Sequence, residues 1–247
     1  MASDILGREA VAQYRDEGYY LYKQPLLPEE KFTALTGIFE EHLAAKAEKR
    51  ADELDTPHFA DSRLLDFLID DHVLDVVEEL IGPNIGLWSS HFISKEPRVG
   101  RATPWHTDAD YWKGRFDRFS GIVTVWLAID RSDRANGCMK VIPETHKTAT
   151  SGDYLDVDSG ANTFSRELQN VDESQAVYFE LEPNECSLHD SRLIHGADAN
   201  TSDRRRTGYT MRYFSQEMKL NLDHPGNKTH KLWHCRGKNL HDNPVVN

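Results

Sequence analysis

Apolar residues recur at helical spacing through the first third of the chain and at shorter, strand-like spacing beyond it. In LPEEKFTALTGIFEEHLAAKAEKR (27–50) they fall on one helical face, with Pro28 and two glutamates at the start and basic residues at the end. SRLLDFLIDDHVLDVVEELIG (62–82) repeats the pattern, and Gly82-Pro83 closes it. Beyond Pro83 come NIGLWSSHFISKEP, GIVTVWLAID, GCMKVIP, QAVYFELEPNECSLHD and RTGYTMRYFSQ. These runs are short, rich in β-branched and aromatic residues, and bounded by Gly, Pro, Asn or Asp, as strands are. Helices first and many short strands after predict a mainly β protein with flanking helices, an antiparallel sandwich or barrel. Two longer connections, about 109–120 and 147–174, are long enough to be functional or mobile. One domain is expected, with a helical part over about 8–82, a β core over about 85–216 and a loosely attached tail after about 222.

The stretch PWHTDADYW (104–112) carries the first candidate chemistry. Residues i and i+2 share a side in extended chain but not in a helix, and Pro104 favours an extended entry. His106 and Asp108 would then converge as two ligands of a divalent metal. A second histidine would complete the two-histidine, one-carboxylate facial triad of non-haem Fe(II) oxygenases, which leaves coordination positions open. His195 is favoured, because it ends the short apolar run RLIH beside Gly196, where a ligand can approach closely. His189 remains open on pattern alone. His146 reads as packing beneath the site. His42, His58 and His72 read as surface residues, and the C-terminal His224, His230, His234 and His241 have no regular spacing. Downstream, Arg204 to Arg206 precede a strand, and arginine grips carboxylates with two parallel hydrogen bonds. Arg204 and Arg206 share a face, with Arg205 opposite.

Charge and composition narrow the partners. The 247 residues include 29 Lys and Arg against 41 Asp and Glu, a net charge of −12, which argues against nucleic acid and anionic membrane as partners. The longest apolar run, GIVTVWLAI (121–129), is about half of a bilayer span. No basic segment followed by an apolar stretch opens the chain, so no signal peptide is expected. Cys138, Cys186 and Cys235 form no CxxC pair and read as reduced thiols of a cytoplasmic protein.

Together these segments resemble the phytanoyl-CoA dioxygenase family of Fe(II)/2-oxoglutarate oxygenases, over about 11 to 215. YRDEGYYLYKQPLLPEE is similar to the family's opening, and IGPNIGLWSSHFISKEP to the strand before the metal site, with its lysine at Lys95. WHTD supplies the HxD. VTVWLAIDRSDRANGCMKVIPETHK and LIHGADANTSDRRRTGYTMRY resemble the two following family segments. The resemblance implies a double-stranded β-helix (jelly-roll, cupin-like) core. It implies His106, Asp108 and His195 as iron ligands at the catalytic centre, and Arg206 as the anchor of the far carboxylate of 2-oxoglutarate. Trp126 and Lys95 would line the co-substrate pocket. The implied reaction uses molecular oxygen, releases succinate and CO2, and hydroxylates a C–H bond of a small-molecule substrate; Asp108 favours hydroxylation over halogenation. Tyr111, Trp112, Lys113 and Arg115 are the candidate substrate contacts, on a connection expected to be loose until substrate binds. Two departures stand out: Ala197 replaces a serine of some members, and Glu144 the usual glycine before Thr145-His146. The rival readings are a non-catalytic jelly-roll binding module and a cupin-type metalloenzyme without 2-oxoglutarate; neither requires Arg206.

Overall fold

The computed structural model describes residues 4–47, 49–148 and 152–246. Helices α1 (Gly7–Glu17), α2 (Glu29–Ala45), α3 (Leu65–Leu68) and α4 (Asp71–Ile81) precede most of the strands. The one helical stretch expected over 62–82 is broken near Ile69. The carboxylate of Asp70 accepts from the backbone N–H groups of His72 and Val73 and starts α4 as a new helix. Strands β1 (Tyr19–Tyr22), β2 (Leu54–Asp55), β3 (Ile85–Lys95), β4 (Thr103–His106), β5 (Ile122–Ala128), β6 (Met139–Ile142), β7 (Tyr154–Asp156) and β8 (Arg166–Leu168) follow in order, and a short helix, α5 (Asp108–Tyr111), follows β4. The set is completed by β9 (Val177–Tyr178), β10 (Cys186–Asp190), β11 (Ile194–Ala197), β12 (Arg206–Ser215) and β13 (Trp233–Arg236).

The strands form a jelly roll. One sheet runs β1-β10-β5-β12-β3-β13 with β2 beside β3, a second runs β4-β11-β6-β9, and β7-β8 is a separate hairpin. Period-two alternation explains why the large sheet can be buried on both faces. Along β12, Tyr209, Met211 and Tyr213 face the helices, in one core with Leu35, Phe39, Val73 and Val77. The alternate residues Arg206, Thr210 and Arg212 line a cavity between the sheets. Strand β5 does the same, with Val123, Val125 and Leu127 in the helix-side core and Thr124 and Trp126 toward the cavity. At Gly208 a Cβ would lie 2.0 Å from the Trp126 ring, so the missing side chain is what lets this indole lie across β12.

Three regions differ from the sequence reading. QAVYFELEPNECSLHD is two strands, divided at Pro183-Asn184, where Asn184 takes a φ of 70°. The connection 147–174 contains the β7-β8 hairpin, though its residues 149–151 lie outside the described set. The segment after 222 is tied down by packing. β13 pairs with β3, Trp233 stacks 4.7 Å from His58, and the Asn243 side chain bonds the backbone of Leu220 and Met218. His58 is therefore buried, contrary to its surface reading, with Ser90 Oγ 2.7 Å from its Nδ1. Among the described residues no helix is long and apolar enough to cross a membrane.

Candidate active site

His106 ends β4 and stands opposite His195 of β11 in the antiparallel register, which brings their rings to 4.1 Å between centroids. Thr107 continues extended, with φ −117° and ψ 143°, and Asp108 opens α5. One extended residue is therefore enough to aim the pair at a common point, although the strand has ended. Ligand atoms of His106, Asp108 and His195 all lie within 4.8 Å of one another, and all three residues are buried. Hydrogen bonds orient them. His106 Nδ1 lies 2.8 Å from the Pro104 carbonyl and His195 Nδ1 2.9 Å from that of Leu193, so each Nδ1 donates and each Nε2 keeps its lone pair. Thr124 Oγ1 donates to Asp108 Oδ2 at 3.2 Å and Arg212 Nε at 3.3 Å, which leaves Oδ1 turned to His106.

The electrostatics keep this set ready for a cation. Burial lowers His106 to about 3 and lowers His195 as well, so both imidazoles are neutral. Burial alone would raise Asp108, but the neighbouring charge of Arg212 holds it below the usual carboxylate range. Two neutral nitrogens and one carboxylate fit a divalent transition metal. His189 is buried behind this set, 5.1 Å from the His195 ring, and its Nδ1 has no hydrogen-bond partner.

The cavity continues from the triad to Trp126, Met139, Ala197 and Arg206. Arg206 is 2% exposed and stacks 4.7 Å over Trp126, yet its Nε has no hydrogen-bond partner. Among the described residues no carboxylate pairs with it, and burial pulls it down to about 10, so it stays a cation at neutral pH. Arg205, by contrast, pairs with Asp130 and Glu40, and Arg204 with Asp133. Thr210 Oγ1 is likewise buried without a partner in this cavity. A buried cation beside an unused hydroxyl, close to a metal-ligand set, suits a bound dianion.

Other candidates are placed elsewhere. Lys95 is buried, but its ammonium donates to the carbonyls of Ala197 and Asp198, at 3.3 and 2.6 Å, and ties β3 to the end of β11. His146 Nε2 donates to the Arg15 carbonyl at 3.0 Å, and the ring packs against Gly18, where a Cβ would lie 2.5 Å from it. Tyr111, Trp112 and Arg115 line a wider cleft of about 470 Å³ that shares Asp108 and Arg212 with the cavity; Lys113 is exposed and does not line it. The connection 109–118, expected to be loose, is held: Ala109 bonds Ser191, Asp110 accepts from Thr107 and Tyr154, and Phe116 is buried.

Sequence reasoning missed Arg212, Thr124, Thr210 and Phe164, whose ring stands 4.9 Å from that of His106. Arg212 was within reach. It lies six residues beyond Arg206, on the same face of one strand.

Residues 4–208 match the family model for phytanoyl-CoA dioxygenase (PhyH). A "Probable phytanoyl-CoA dioxygenase" of Caenorhabditis elegans is 33% identical over 154 residues, covering 59% of this chain and 49% of that protein. The peroxisomal phytanoyl-CoA dioxygenase of Mus musculus is 32% identical over 162 residues, covering 64% and 47%. The chain thus spans about half the length of the curated relatives it matches. Among solved structures, EvdO2 from Micromonospora carbonacea var. aurantiaca, complexed with 2-oxoglutarate, superposes with a TM-score of 0.73 at 20% identity, covering 91% of this chain and 97% of that one. The likeness is one of fold.

Proposed function

The chain belongs to the phytanoyl-CoA dioxygenase (PhyH) family, and from that premise we propose that it is an Fe(II)- and 2-oxoglutarate-dependent dioxygenase that hydroxylates a C–H bond of a small molecule and releases succinate and CO2. The observation that carries the co-substrate is Arg206, a buried cation with no acid of its own in the cavity that reaches the triad. A structural metal site or a plain binding module has no use for it.

His106, Asp108 and His195 would hold the iron on one face. An iron ion held there would supply the oxidising chemistry toward 2-oxoglutarate and oxygen. The protein's own part is orientation and exclusion of water. The Pro104 and Leu193 carbonyls fix which ring nitrogens face the metal. Thr124 and Arg212 occupy one oxygen of Asp108, so the carboxylate offers the other. Arg206 grips the far carboxylate of the co-substrate against the Trp126 ring. Thr210 supplies an unpaired hydroxyl to the same cavity, where Ala197 offers none. Phe164 and Tyr111 pack against His106 on the cleft side and help to exclude water there. The free thiols of Cys138, Cys186 and Cys235 fit a reducing, cytoplasmic setting.

Anaerobic addition of Fe(II) and 2-oxoglutarate tests this directly. The expected result is a weak visible charge-transfer band that is lost in His195→Ala and kept in His189→Ala. A cupin enzyme without 2-oxoglutarate would bind iron and give no band. A non-catalytic module would consume no 2-oxoglutarate in air.

A further inference from the structure

Arg115 is a second cation without an acid, and it stands in the wide cleft rather than in the co-substrate cavity. Its Nε donates to Asn227 Oδ1 at 2.7 Å, its Nη2 to the Gly226 carbonyl at 2.6 Å, and its guanidinium lies 4.3 Å over the Trp88 ring. These contacts hold the fork in place but neutralise none of its charge. Among the described residues no carboxylate lies within ion-pair distance of Arg115; every other charge-bearing arginine of the cleft is paired, since Arg212 serves Asp108. Asn227 is buried, and its amide also bonds the Arg115 and Asn221 carbonyls, so the segment 221–227 is built around this side chain. His230 follows, stacked 4.0 Å from Trp88 and bonded to the Trp88 carbonyl. Asn227 and His230, which hold Arg115 and Trp88, lie beyond the 4–208 that match the family model.

The rest of the cleft sets the size and character of what fits. Trp88, Trp112 and Phe59 give flat apolar walls. Glu53 and Asp55, half and two-thirds exposed, place negative charge in the same cleft. A molecule bearing several phosphates would meet them as like charges, while a single anionic group can sit on Arg115 with its body between the rings. A cleft of about 470 Å³ suits a small metabolite.

Resting on the oxygenase reading above, we propose that the substrate is a small monoanion with a flat or cyclic apolar body, its carboxylate or equivalent group held by Arg115, and that the C-terminal segment 221–236 sets this preference. The preference is a matter of binding, so it can be read without turnover. The probes are 4-fluorophenylacetate and its neutral amide, followed by 19F line broadening on protein loaded with Zn(II) and 2-oxoglutarate, so that the Arg206 site is filled. The acid should bind on the order of tenfold more tightly than the amide, as a charge-assisted pair would give. Arg115→Gln should erase that preference, while Arg115→Lys, which keeps the charge, should retain part of it. Coenzyme A should not displace the acid. The proposal is overturned if acid and amide bind alike or neither binds, if Arg115→Lys loses the preference as fully as Arg115→Gln, or if coenzyme A competes. A preference lost in Arg206→Met but kept in Arg115→Gln also overturns it, because the acid would then occupy the co-substrate cavity. The readout needs no turnover: failure of the oxygenase reading shows as a missing charge-transfer band, whereas failure of this proposal shows in the Arg115 variants.

Discussion

Replacing Arg206 by methionine separates stability from ligand binding in a way that only an unpaired buried cation allows. In the ligand-free protein the guanidinium is 2% exposed and its Nε bonds nothing. A buried polar group left without a partner costs about 1–3 kcal/mol, and a charge costs more. The ring of Trp126, 4.7 Å away, returns about 0.5–2 kcal/mol. The balance leaves wild type about 1 kcal/mol less stable than a variant with an apolar side chain of similar length. For a chain of this size that raises Tm by about 2–4 °C in Arg206→Met.

Ligand should reverse the order. With Zn(II) present and 2-oxoglutarate a hundredfold above its Kd, wild type should gain about 2.7 kcal/mol. Arg206→Met should gain almost none, since the far carboxylate would be buried against a thioether. Four melting curves, two proteins with and without 2-oxoglutarate, decide the matter. Arg205→Ala is the control: its guanidinium pairs with Asp130 and Glu40, so it should lose a little stability and keep the whole ligand shift. If Arg206→Met melted below wild type without ligand and still answered to 2-oxoglutarate, Arg206 would be a structural residue and the co-substrate would lie elsewhere.

Further tests follow from single contacts. Gly208→Ala should push the Trp126 ring off β12, costing about 1–3 kcal/mol and raising the KM for 2-oxoglutarate more than it lowers iron affinity; an unchanged KM would show that the indole is not needed under Arg206. Glu144 holds the backbone at φ 68°, so Glu144→Gly should stabilise by about 1 kcal/mol in urea titration, and a loss of stability would mean that the side chain contributes something its exposed position hides. In the metal-free protein, burial lowers His58 and His106 to about 3 and His91 and His230 to about 4, all below the ordinary 6.5. Unfolding then takes up protons, so stability is full above pH 6.5 and falls toward pH 3, by up to about 1.4 kcal/mol per pH unit for each histidine. Equal stability at pH 7 and pH 5 would contradict the burial of these rings.

Much of the site was legible because it is written in short local patterns. His106 and Asp108 are two residues apart, Gly208 and Arg206 share a strand face with Thr210, and alternation along β5 and β12 separates helix-facing from cavity-facing positions. Even the departure at Glu144 had a local meaning: the position sits in the left-handed region, which glycine enters freely and glutamate does not. The break at Asp70 was visible in principle too, since an aspartate before a new apolar period is a helix cap.

Of the cleft, beyond the shared Asp108, only Tyr111, Trp112 and Arg115 were legible in the sequence, and the rest was illegible for the opposite reason. Its walls join residues that no periodicity relates: Arg115 to Asn227, Trp88 to His230, and Arg101 to Asp52 and Ser159. Local propensity marks residues 221–236 as polar, irregular chain, and so they read as a loose tail. What fixes them is a set of contacts each too distant in sequence to leave a pattern: an indole for His230 to stack on, an edge of β3 for β13 to extend, and the fork of Arg115 for Asn227 to hold. The same difference has a functional side. His106, His195, Trp126 and Arg206, assigned above to iron and co-substrate, lie on strands of the jelly roll, and Asp108 one residue past the end of β4, so register dictates their geometry. The wide cleft keeps Trp88 of β3 and Arg212 of β12 as its floor, but Tyr111, Trp112, Arg115, Phe164 and His230 come from a helix turn, a hairpin connection and the tail, which can change without disturbing that register. Substrate preference in this chain is therefore to be sought in Arg115 and the segment that holds it, and the chemistry in His106, Asp108, His195 and Arg206.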